Sequence, residues 1–136
     1  MSIFPYTCPK TGLVFTGAPI AHGEVTIAPI AFIPDAHGDT IPPLDGRHVV
    51  GHSESGNSHV LDRVEGVERY RDPSSPDVSD ASEVSPVRSF LRIIGDDVRL
   101  EQLGRGNHGT QTLVPGDYIV TTGVEYTPEG LRRAAD

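Results

Sequence analysis

The chain has 136 residues, with 11 Lys and Arg against 19 Asp and Glu, and a formal net charge of −8. One ordinary domain with its own core fits this length, and two do not. The acidic balance excludes a general nucleic-acid binder and an anionic-membrane binder, both of which need a basic face.

With 15 Gly and 12 Pro, the chain is too rich in turn formers for a helical protein. Trp is absent, so a core must come mostly from Val, Ile and Leu. The single cysteine, Cys8, excludes a disulfide framework and a multi-cysteine zinc site. No apolar run approaches the ~18 residues of a membrane span. The opening Met1-Ser2-Ile3-Phe4-Pro5 lacks the basic and apolar regions of a signal peptide, so a soluble, cytosolically made protein is expected. Ten of the basic residues are Arg and one is Lys10. Arg suits planar pairing with carboxylates at an interface, and a GC-rich coding sequence gives the same bias.

Residues 1–46 carry seven prolines. Proline removes a ladder donor and fixes φ, which predicts an extended arm with edge strands. Residues 24–28 read as a strand that Pro29 ends or places at an edge. The apolar groups of this stretch, Ile3, Phe4, Tyr6, Val14, Phe15, Ile30, Phe32 and Ile33, suit an arm laid over a neighbouring subunit. A loop-rich cap on the same domain suits them equally.

Residues 47–136 are expected to form the sandwich domain. Residues 48–54 and 59–64 flank Ser55-Gly56-Asn57-Ser58, a hairpin signal with two turn residues that tolerate φ > 0. A turn centred on Gly56-Asn57 places Glu54 opposite His59, with His52 on the same face. Two histidines and a carboxylate form a ligand set used by zinc or iron. The same residues are also ordinary on a solvated strand. Residues 72–88 are acidic and rich in Ser and Pro, and read as a loop.

Residues 90–94 and 98–103 read as two strands around Gly95-Asp96-Asp97. Gly104-Arg105-Gly106-Asn107-His108-Gly109 has the letters of a dinucleotide fingerprint, but no helix pattern follows, so it is read as a glycine loop. Gly51-His52-Ser53-Glu54-Ser55 lacks the last glycine of a nucleophile elbow. Residues 117–126 form the best strand signal, β-branched and aromatic after Pro115-Gly116, with Tyr118, Val120 and Val124 on one face. Thr127-Pro128 suits the start of a short helical turn. Arg132 and Arg133 suit clamping of an acidic partner or a solvated tail. Short strands with frequent turns predict an all-β fold, a small antiparallel sandwich or barrel with an extended Pro-rich N-terminal arm.

The Gly51-His52-Ser53-Glu54 hairpin, the Pro115-Gly116-Asp117-Tyr118 strand and the Glu125-Tyr126-Thr127-Pro128 ending with its basic residues resemble small proteins encoded in tailed-phage and prophage genomes, some near head genes. The resemblance covers about half the chain. Related sequences often carry more histidines where this chain has Asn57 and Ser58. The resemblance implies a capsid decoration (cement) protein on the outer face of a phage head, assembled in the host cytoplasm. Its implied partners are the major capsid protein and neighbouring copies of itself, without cofactor, metal or catalytic residues. The interface expected from the arm and the basic end is Ile3, Phe4, Tyr6, Val14, Phe15, Arg132 and Arg133. The alternative is a small cupin-like metal-binding protein or metal-dependent enzyme using His52, Glu54 and His59, with His108 as a further candidate. A glycan-binding accessory domain is a third reading, which the 6% aromatic content disfavours.

Overall fold

The structure is a computed structural model and describes residues 3–52, 58–75, 87–103, 109–127 and 130–133. Among the described residues the fold is all-β, without a helix. The first four strands are β1 (Tyr6–Thr7), β2 (Val14–Phe15), β3 (Ile20–His22) and β4 (Val25–Ile30). A hairpin of β5 (Val49–His52) and β6 (Ser58–Leu61) follows, then β7 (Val67–Arg71), β8 (Arg88–Ile93) and β9 (Val98–Leu103). The last four are β10 (Gln111–Leu113), β11 (Gly116–Thr122), β12 (Val124–Thr127) and β13 (Gly130–Arg133).

All pairings between these strands are antiparallel. The larger sheet runs β1-β2-β4-β11-β8-β7, with β3 also on β4, and the smaller runs β10-β9-β6-β5. The two pack as a sandwich, not a closed barrel. Alternation along each strand explains the packing. Val25 and Ile27, Leu91 and Ile93, and Tyr118 and Val120 turn inward from the larger sheet, and meet Val50, Leu61, Val98, Leu100 and Leu113. Burial of each such side chain is worth ~1.5–3 kcal/mol. The buried Tyr118 ring keeps its hydroxyl satisfied by donating to the Val114 carbonyl.

The other face of the larger sheet is covered as well. Ala28, Ile30, Phe90 and Ile119 pack against Leu13 and Ile33, with Phe15 and Tyr70 at the margin. The division at residue 46 therefore does not follow the sheets. β4 lies in the middle of the larger sheet, in register with β11 from Val25↔Thr122 to Ile30↔Asp117. Pro29 neither ends this strand nor puts it at an edge. Its carbonyl accepts from Thr16 N at 3.0 Å, and N and C=O of a strand residue point to the same side. The missing donor thus faces the gap between the β3 and β2 pairings, and the β11 ladder is intact.

Residues 38–41 then run along β7, with Ile41 N donating to Arg69 O at 2.8 Å and Arg71 N to Asp39 O at 2.9 Å. Ile41 is wholly buried. The apolar groups proposed for an arm accordingly divide. Ile30 and Ile33 belong to this chain's own core, whereas Ile3, Tyr6 and Phe32 are exposed.

One further expectation is corrected. Residues 117–126 are not one strand, because β11 stops at Thr122 and Val124 opens a separate hairpin. The helical turn expected from Thr127-Pro128 falls partly on residues 128 and 129, which lie outside the described residues; residues 130–133 form β13, which returns along β12 with Thr127 opposite Gly130. The two strands around Gly95 do form, but β8 lies in the larger sheet and β9 in the smaller, so the link crosses the sandwich.

Gly51 sets how closely the sheets approach. A Cβ placed there would lie 2.2 Å from Val25 Cγ2 on the facing sheet. Overpacking of a filled core costs roughly 1–3 kcal/mol. Gly51→Ala is expected to lower the unfolding free energy by about that amount in denaturant titration; an unchanged midpoint contradicts the packing.

Candidate functional site

A buried polar chain crosses from one sheet to the other. Gly23, at φ 65°, forms a two-residue turn with Glu24 between β3 and β4, where glycine takes the left-handed position at no steric cost. The turn sets His22 at the end of β3 and Glu24 just before β4. His59 points inward from β6, opposite Gly51 on one side and Gln102 on the other. His22 Nδ1 and His59 Nδ1 lie 2.8 Å apart, with the rings edge-on at 79°. His22 Nε2 is 2.7 Å from the Gly109 carbonyl, and His59 Nε2 is 3.2 Å from Glu24 Oε2. Both imidazoles are buried, and the Glu24 side chain is only 6% exposed.

This geometry replaces the expected one. His59 pairs with Gly51 rather than Glu54, because His52 lies opposite Ser58, three residues short of the partner that a turn centred on Gly56-Asn57 would give it; a bulge at Val50 shifts the register by one more residue farther along, to Val49↔Val60. His52 ends β5 opposite Ser58, and Glu54 and His108 lie outside the described residues. Among the described residues no group of three His, Cys, Asp or Glu is arranged to hold a metal ion. Sequence reasoning identified His59 but missed its carboxylate neighbour, Glu24, and missed His22. The local signal was His22-Gly23-Glu24-Val25, a glycine turn between two β-forming runs.

A second polar link lies elsewhere between the sheets. Arg69, wholly buried on β7, donates to Val49 O at 2.6 Å on the smaller sheet and to Ser89 Oγ at 2.8 Å on its own. Burial, then the nearby Arg71 charge, pushes its guanidinium down to about 9, so it is still cationic at neutral pH. His48 is buried near it, and burial first, then the Arg69 charge, holds His48 below the ordinary histidine value.

The proposed interface residues fall on the N-terminal strands and on the β12–β13 hairpin. Tyr6 on β1 is exposed, Ile3 precedes it in exposed chain, and Val14 and Phe15 on β2 are half-buried. Phe4, Tyr6 and Phe15 line a cavity of about 850 Å³ over the outer face of the larger sheet, floored by Ala28, Phe90 and Ile119. Arg132 and Arg133 lie on β13, opposite Glu125 and Val124 of β12. Among the described residues this two-stranded hairpin pairs with neither sandwich sheet. On the sandwich surface Arg92 pairs with its cross-strand neighbour Asp117 at 2.9 Å.

Fold and surface define a β-sandwich with a separate two-stranded hairpin and an apolar N-terminal flank. The chain belongs to the DUF8820 family, a domain of unknown function, whose model matches residues 21–122. No curated protein and no solved structure matches it. The matched span holds His22, Glu24, His59 and Gly109, and leaves β1, β2, β12 and β13 outside.

The His48 shift fixes a pH dependence. A histidine whose folded value is depressed contributes stability that is complete above its unfolded value and is lost as pH falls. Wild-type stability is therefore expected to drop as pH falls below about 6.5. His48→Gln is expected to flatten that slope in denaturation series at pH 7.5 and 5.5; an identical slope contradicts the assignment.

Proposed function

We propose that the protein is a structural virion protein, a capsid decoration (cement) protein that binds the outer face of a tailed-phage head and stabilises contacts between capsid subunits. It acts by surface burial and strand pairing, not by catalysis. Its partners in this reading are the major capsid protein and neighbouring copies of itself, on the virion surface.

The observation that carries the reading is the β12–β13 hairpin. It is hydrogen-bonded to neither sandwich sheet among the described residues. A lone two-stranded hairpin is marginal in water, and its open edges are templates for an added strand. The exposed Ile3 and Tyr6 at the β1 edge supply apolar area to a second contact. The net charge of −8 suits an external position better than one facing packaged DNA.

Mass spectrometry of purified virions tests this directly. The chain is expected at a fixed ratio to the major capsid protein. A variant ending at Gly123 retains every described residue of both core clusters and is expected to fold. Its affinity for undecorated heads is expected to fall at least about tenfold, the equivalent of 1.4 kcal/mol. Absence from virions, or full binding by the truncated chain, overturns the proposal.

A further inference from the structure

Proton bookkeeping along the buried chain leads to a binding site that is independent of any capsid role. The Gly109 carbonyl can only accept, so His22 Nε2, 2.7 Å away, carries a proton. A neutral His22 then presents a lone pair at Nδ1. His59 Nδ1, 2.8 Å from it, must donate. These tautomers follow from the hydrogen-bond network. A neutral His59 with its proton on Nδ1 directs the Nε2 lone pair at Glu24 Oε2, 3.2 Å away. Two acceptors at that distance in a buried setting repel unless a positive charge sits between them.

The second oxygen of the same carboxylate gives an independent observation. Glu24 Oε1 is buried and has no hydrogen-bond partner. An extra proton on His59 accounts for the contact with Oε2 and leaves Oε1 unsatisfied. A cation held by both groups accounts for both oxygens. Two donors bound to one zinc-type ion at about 2.0–2.1 Å lie roughly 3 Å apart, close to the observed separation. The outer arrangement also fits. A ligating histidine usually donates its other ring N–H to an acceptor that fixes tautomer and orientation, and here His22 takes that part, held in turn by Gly109. Imidazole nitrogen with carboxylate oxygen suits a first-row divalent ion such as Zn²⁺.

We infer that His59 Nε2 and the Glu24 carboxylate bind a zinc-type divalent cation, with His22 as the positioning residue behind His59 and water completing the coordination. His59 belongs to the smaller sheet, and Glu24 to the turn entering β4 of the larger. The ion is therefore a tie between the two layers.

The test uses the full chain, freed of metal by chelation and titrated with Zn²⁺ alone. One equivalent per chain is expected by calorimetry and by metal analysis after gel filtration, together with a raised melting temperature. Glu24→Gln preserves shape and is expected to weaken uptake at least about tenfold, and His22→Gln by about 10–100-fold, the usual range for a group behind a ligand. His59→Gln should abolish uptake; because His59 is fully buried, circular dichroism checks its fold, and Glu24→Gln decides if it unfolds. His37→Asn, on the far loop, should leave uptake unchanged. No uptake by the wild-type chain means that a proton alone occupies the site and overturns the inference. Equal uptake by wild type and Glu24→Gln overturns it as well.

Discussion

Strand β11 is hydrogen-bonded along both edges, and the rest of the molecule depends on it. Its six-residue registers with β4 and with β8 bring together segments about sixty residues apart in sequence. Once these three strands are in line, side-chain alternation does the remaining sorting. Val25, Ile27, Leu91, Ile93, Tyr118 and Val120 must face one way, and Ala28, Ile30, Phe90 and Ile119 the other. A one-residue slip in either register would exchange the two sets. The smaller sheet covers the first face, and the N-terminal segment with residues 33–41 covers much of the second.

The layers are joined by more than apolar contact. His22–His59–Glu24 and Arg69 place polar groups inside the sandwich, each aimed across it. Buried polar groups seldom add net stability over an apolar replacement, but removing one partner strands the other at a cost of about 1–3 kcal/mol. Such pairs penalise alternative alignments of the sheets. Gly51 has the complementary role, since only a missing side chain permits Val25 to approach β5 this closely.

Much of this arrangement was legible in the sequence, and the failures have identifiable causes. β11 was evident from its β-branched and aromatic run after Pro115-Gly116, and β8 and β9 from apolar runs around Gly95. β4 was demoted on account of Pro29, because the side to which a proline turns its nitrogen is a tertiary property. The β5–β6 register was misplaced by three residues already at His52↔Ser58, because the last strand pair before the turn is not fixed by the Gly56-Asn57 signal, and the bulge at Val50, which leaves no compositional mark, adds one more. His59 stood out as a candidate ligand, but its acidic neighbour comes from Glu24, 35 residues earlier, and no spacing rule spans that distance. The end of β11 was missed because Gly123 breaks an otherwise uniform β pattern.

The family match to residues 21–122 divides the chain between a shared sandwich and two flanking elements, the β1–β2 segment and the β12–β13 hairpin. Our account places the layer-joining chemistry in the first and partner binding in the second. Amide hydrogen exchange on the free protein and on protein bound to purified phage heads tests this division most directly. The account predicts slow exchange in β4, β8 and β11 in both states, with new protection on the particle confined to residues 3–16 and 124–133. New protection on the β5 or β10 edges, with those two segments unchanged, would contradict it.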